Sequence, residues 1–429
     1  MIEFATTREA VAFLARRAGW GLAPGQLDDL EARGVAGTID LLVDPTGAGV
    51  AEETSAWADW DFDYDRSDQE ASRAQTLEAF QRWTGRLVET ERPLDHQLAW
   101  FWHDHFAVSL QVVRHLPSML EHLERCWSLG RGDFVELIRA ITTDAAMLVF
   151  LDGATSTGQA PNENYGRELL ELYTVGVNNF TEADVRAAAV ALTGWTVRPR
   201  FDWEVRYVPN RHDDTPQTLL GVDGVHDVDG VVAAATAHPA CPVFIATKLG
   251  RYLLGAVDNA TIFSLADRFA ASDLDIATLT RAALEAGSAG AAGPTVLAPL
   301  PWMTQAVKAT GSTLEPRFVI GQLRTMGQLP ANPPNVGGYP GTATWLASSA
   351  TAGRFTAANA IARATPDDAV ALSAARDRSW DELADLLVRP AGFSPATLAA
   401  LADLSPSASD RPGEAALALA LASPDLLVA

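Results

Sequence analysis

The segment from Asn162 to Gly176 reads NENYGRELLELYTVG. Wound as an α-helix, it sets Tyr165, Leu169, Leu170, Leu172 and Tyr173 on one side and Glu163, Asn164, Arg167, Glu168 and Glu171 on the other, because residues three and four apart share a face. A strand of the same sequence would scatter both sets over both faces. The segment is therefore predicted as a helix over 162–175 with one buried and one polar side. The same spacing returns at 75–89, 94–109, 117–129, 133–148 and 181–193, and again at 229–237, 242–254, 259–271, 275–286, 301–310 and 314–327. Short helices are expected within 6–45, the first capped by Thr6 or Thr7. The recurrence predicts a mainly α, large multi-helix globular unit.

One stretch breaks the pattern. Phe201, Trp203, Val205 and Tyr207 alternate with polar residues, and Leu219, Leu220 and Val222 offer a second edge to pair with them. This predicts a small β-hairpin inserted around 201–228. Residues 46–75 carry acids among Trp57, Trp60, Phe62 and Tyr64, which reads as an acidic loop anchored by its rings, with glycan stacking as the sharper account. The run Pro330–Gly341 combines rigid prolines with permissive glycines and predicts a loop of fixed path.

The charge balance narrows the partners. Fifty-four acidic residues stand against 32 basic ones, a net charge of -22. Such a field repels nucleic acid and anionic membrane surfaces, and favours cationic ligands, metals or basic partners. Cys126 and Cys241 match no metal-ligand spacing and read as two buried thiols. The N-terminal sequence has an acid at Glu3 and no long apolar core, so no signal peptide is read there, and no run of about 18 apolar residues predicts a membrane span. The location expected from these features is cytoplasmic.

Three groups of residues are chemically able. His103 and His105 flank Asp104 in Phe101–Phe106; on a helix His105 falls on the apolar stripe with Leu94, Leu98 and Phe101, and His103 lies about 160° away. One metal ion does not readily take both. The polar arc of 162–175 has two readings. In the plainer one, Glu163–Arg167 and Arg167–Glu171 are ion pairs on a solvated face. In the other, Asn164, Glu168 and Glu171 form a stripe whose two carboxylates hold a hard cation or divide acid and base roles. The third group is Arg211-His212-Asp213-Asp214, a loop histidine beside acids, which suits a ligand, a general base or a capped turn. No phosphate loop, nucleophile elbow, dinucleotide fingerprint or HExxH is present.

Taken in order, LARRAGWG (14–21), FWHDHFAVS (101–109), AAMLVFLD (145–152), NENYGRELLELYTVG (162–176), LTGW (192–195), His212-Asp213 with Leu220-Gly221, and 333–341 with Trp345 resemble the bacterial family called domain of unknown function 1800. The resemblance implies a family without an established activity or cofactor, many of whose members are exported. This chain departs from its pattern at Gly166, where alanine is more usual, and at Tyr339, where tryptophan is. The expected organisation is a family-like, mainly helical domain over 1–355 and an Ala/Leu-rich helical extension over 356–429 packed on it.

The functional expectation is an acid/base or metal-assisted enzyme with a single central cleft. Glu168, Glu171 and His212 would be catalytic, and Asn164, Arg167 and Asp213 would bind substrate. A divalent metal, if it is the cofactor, would take His105, Glu168 and Glu171. The alternative is a non-catalytic binding or assembly protein whose polar motif helix is structural. The partner would then be a small molecule or another protein.

Overall fold

The helix Pro93–His105 is buried on nearly every side: Leu94 through His103 and His105 are all interior. A helix hydrophobic or hydrogen-bonded all round belongs at the centre of a large helical assembly, and the other elements wrap this one. The computed structural model describes residues 2–65, 67–405 and 411–429. Residue 1, residue 66 of the acidic aromatic stretch and residues 406–410 of the Ala/Leu-rich tail lie outside the described residues.

The fold is mainly α with two small antiparallel β pairs. Helix ends follow the sequence closely where a capping side chain is present. Thr6 accepts from the Glu9 N–H at the start of Thr7–Ala18. Thr181 and Asp184 complete a reciprocal capping box at Glu182–Ala191. The helix expected over 133–148 is two, Phe134–Thr142 and Ala145–Phe150, because Asp144 turns outward from the first and caps the second through the Met147 N–H. Both cysteines are buried and free. Among the described residues no single helix is long and apolar enough to cross a membrane.

The β insertion pairs differently from the expected hairpin. Strand β1 (Trp195–Thr196) pairs with β2 (Arg206–Tyr207), and β3 (Gln217–Leu219) pairs with β4 (Val222–Val225). Leu220 and Gly221 both have positive φ, 51° and 81°, so Leu219 and Val222 close on each other through a two-residue turn rather than on the 201–207 segment. Phe201 is exposed and Trp203 has a φ of 54°, which takes the alternating residues out of a continuous strand. Asp184 fixes this region by accepting the Leu220 N–H at 2.7 Å.

The tail closes back on the N-terminus. Thr295 and Leu297 pair with Ala429 and Leu427 through backbone hydrogen bonds of 2.8–3.2 Å. Arg16, buried, donates to the Val428 carbonyl at 2.8 Å, and Arg17 donates to Gly293 O at 2.6 Å and to Ala429 O. The helix Ser348–Ala364 runs through residues 355 and 356 and packs against Glu414–Ala422.

Candidate functional site

The motif helix begins at Glu163, capped by Asn162, whose Oδ1 accepts from the Asn164 N–H at 2.9 Å. Asn164 is exposed, and its Nδ2 donates to Leu151 O at 3.3 Å. Gly166 lets the helix lie close against Glu182–Ala191: a Cβ there would sit 3.2 Å from Val185 O and Ala189 N. From Leu169 to Thr174 the helix widens into a π turn. Leu170 O takes both the Val175 and Gly176 N–H groups, at 3.0 and 2.9 Å, and Thr174 Oγ1 donates to Leu169 O at 2.6 Å. Two further carbonyls are met from outside the helix. Lys248 Nζ donates to Leu172 O, and His105 Nε2 to Tyr173 O, each at 3.1 Å. Such widened turns recur at functional sites.

The bond to a carbonyl fixes the His105 tautomer, since a carbonyl only accepts. Nε2 carries the proton, and the buried Nδ1 has no partner among the described residues. Burial, then the nearby Lys248 charge, hold this imidazole neutral, far below the ordinary histidine range, against the opposing Tyr173 bond. His103, placed by helical phase on the far side from His105, is interior as well. Its Nε2 lies 3.4 Å from Tyr339 Oη, and burial followed by the His122 charge lowers it to about 3.

Arg167 is fully committed. It grips Glu182 with two bonds of 2.8 and 2.7 Å and lies 3.7 Å from Glu163. The expected Arg167–Glu171 pair does not form at ion-pair distance. The wider turn that starts at Leu169 carries Glu171 out of the row that an α-helix would give it. Glu168 and Glu171 are left half-buried, with no hydrogen bond or ion pair from either side chain to a described residue. The Glu168 carboxyl is raised above its ordinary value by burial, then by the Glu171 charge, with Arg167 opposing.

Beneath the π turn is a junction that the sequence reading passed over. Asp104 Oδ1 accepts the Tyr339 N–H at 2.6 Å, and Gly338, at a φ of 94°, comes so close that a Cβ would stand 2.3 Å from the same oxygen. Only glycine fits that approach. Burial raises Asp104 to about 6, against the Tyr339 N–H and the Lys248 charge. Lys248 is lowered by burial, with Asp104 opposing. A signal for both existed: Asp104 sits between two interior histidines, and Lys248 shares a helix stripe with Ile245, Leu249 and Tyr252. Behind this junction His122, wholly buried, stands 3.2 Å from Asp144, which Arg125 meets at 2.9 Å. Burial opposes the charged His122, and the adjoining Cys126 and Asp144 override it, lifting the ring to about 10.

His212 lies at the other end of the motif helix. Its Nδ1 is 3.0 Å from Thr193 O and 3.1 Å from Thr193 Oγ1, which itself donates to Val190 O at 2.7 Å. Nδ1 therefore carries the proton, and Nε2 presents its lone pair. Asp213 is anchored by its N–H on Thr193 Oγ1 at 2.9 Å and accepts from the Thr215 N–H at 3.0 Å. The loop leading into the motif helix meets this segment through the Gly158 N–H on Arg211 O, at 2.7 Å.

A family model described as a protein of unknown function (DUF1800) matches residues 13–428. The chain belongs to that family. The match extends through the Ala/Leu-rich tail, beyond the motifs that end near residue 355. No curated protein and no solved structure matches the chain. In this DUF1800 protein the family-like segments converge on the motif helix from two ends: His105 under its C-terminal turn, and the His212 loop beside its N-terminal approach. His105 does not join Glu168 and Glu171: among the described residues no group of three or more His, Cys, Asp or Glu is placed to hold a metal ion. A groove of about 830 Å³ lies elsewhere, between the helices Gln69–Glu89, Pro299–Thr310 and Pro316–Thr325. The rings expected as glycan platforms pack on other rings: Trp57 edge-on to Trp83, Trp60 on Phe62, and Tyr64 edge-on to His115.

Proposed function

We propose that this DUF1800 protein is an acid/base enzyme whose working pair is Glu168 and Glu171. The observation that carries the reading is their lack of partners. Every other charged side chain of the motif helix is paired, and these two carboxylates stand half-buried, Glu168 just before and Glu171 within a π turn tied down by Lys248 and His105. A half-buried carboxylate beside a like charge holds its proton more tightly than a solvated one, which inclines Glu168 to the acid role and leaves the base role to Glu171. Asn164, exposed one turn earlier, would contact a polar substrate. His212, with Nε2 open, would act as a further base at the helix's other end, with Asp213 beside it. Arg167 would serve by holding Glu182 rather than by touching substrate. The metal-assisted form of the reaction would have two carboxylates and would need its further ligands from outside the described His, Cys, Asp and Glu groups.

The test is turnover on a panel of esters, phosphate esters, glycosides and amides by the intact protein. Wild-type turnover of one class, lost in Glu168→Gln and in Glu171→Gln with melting temperatures unchanged or raised, is expected. Loss of fold in both variants would instead favour the second reading, a binding or assembly protein whose motif helix is structural. That reading draws on the Arg167–Glu182 clamp and on the groove lying away from the motif.

A further inference from the structure

The large groove shares a wall with a much smaller enclosed cavity, since Ala56 lines both. The small cavity is about 10 Å³, bounded chiefly by Ser55, Trp57, Trp83, His96 and Trp127. Three of these residues each bring a buried polar atom without a hydrogen-bond partner among the described residues: Ser55 Oγ, Trp57 Nε1 and Trp127 Nε1. A buried polar group left unpaired is costly, and three such groups on one cavity point to a shared partner.

We infer that this cavity is the binding site of one water molecule held by these three groups. Size limits the occupant: about 10 Å³ admits a single water and little else. The bonding balances as well. Indole N–H groups only donate, so Trp57 and Trp127 fill the two lone pairs of the water, and Ser55 Oγ accepts one of its protons. His96 Nε2, 3.5 Å from Glu53 Oε1, turns its own proton to that carboxylate. A halide would fill the same donor-rich cavity, but Glu53 opposes it. Against burial, the bonds from His96 and Thr90 and the Arg86 charge hold that carboxyl down at about 2.

The site has a consequence for the groove. Ser55–Trp57 belongs to the acidic aromatic stretch, His96 to the central helix, and Trp127 to the helix Leu116–Ser128. One water would fasten the first to the last, across the face of the central helix, and hold the groove wall at Ala56 in place.

A high-resolution crystal structure of the full chain, from crystals soaked in bromide, tests this directly. One water-sized density peak within hydrogen-bond distance of Ser55 Oγ, Trp57 Nε1 and Trp127 Nε1, without anomalous signal, is expected. An anomalous peak there would make it a halide site, and the three groups bonded to one another with no peak would remove the site; either overturns the inference. In solution, Trp57→Phe and Trp127→Phe should each lower the melting temperature, and the double variant should lose less than the two losses added, because either change already leaves the water short of a donor. Additive losses would contradict a shared water.

Discussion

At the scale of single residues, the chain places ionisable groups where their charge opposes folding. Asp104 is the clearest. A carboxyl whose folded pKa stands above its unfolded value binds its proton more tightly in the folded chain, so ionising it destabilises the fold. With Asp104 lifted from 3.8 to about 6, this penalty is absent at low pH, grows between pH 4 and 6, and is constant above, reaching about 3 kcal/mol. Asparagine keeps the oxygen that accepts the Tyr339 N–H and removes the charge. The melting temperature of Asp104→Asn minus that of the wild type should therefore rise from pH 4 to 6 and then level off. A difference that stays flat across that window would show that Asp104 is not held this way. Asp104 escaped the sequence reading because its setting comes from elements far along the chain, Gly338–Tyr339 and Lys248, which no local pattern joins to it.

At the scale of elements, the helices and their caps were legible, because capping and amphipathic spacing are local. Thr6 and Thr181 with Asp184 stand as their spacing required, and so does the polar arc of the motif helix as far as Glu168. The break at Asp144 and the π turn were not legible. The first depends on a choice between continuing a helix and capping the next, and the second on carbonyl partners supplied from a distance. The β pairing was misread for a related reason: the alternation at 201–207 outweighed the positive-φ turn at Leu220-Gly221, which closes its own hairpin. The π turn makes a specific prediction. Lys248→Met keeps the apolar stem and removes the donor to Leu172 O, which should destabilise the protein by about 1–3 kcal/mol in urea unfolding. Hydrogen exchange at Val175 and Gly176 should quicken with it. Unchanged exchange there would mean that the turn holds without the lysine.

At the scale of the molecule, the N- and C-terminal ends form one structure. Arg16 and Arg17 are buried; Arg16 donates to the carbonyls of Asp425, Leu426 and Val428, and Arg17 to those of Leu253, Gly293 and Ala429. A chain ended at residue 355 would cut the helix Ser348–Ala364 and strand the buried Arg16 guanidinium without these acceptors. It should express as insoluble or unfolded protein by circular dichroism. A cooperative thermal transition from residues 1–355 would show instead that the tail is dispensable to the rest. Distant segments converge on the motif helix, where two carboxylates stand unpaired. The direct measurement is a carboxyl ¹³C NMR titration of Glu168 in the intact protein and in Glu171→Gln. The Glu168 pKa should stand above the ordinary glutamate value and fall when Glu171 loses its charge. A Glu168 that titrates at or below the ordinary value, unmoved by Glu171→Gln, would make the motif helix a solvated ion-pair face and contradict the proposed pair.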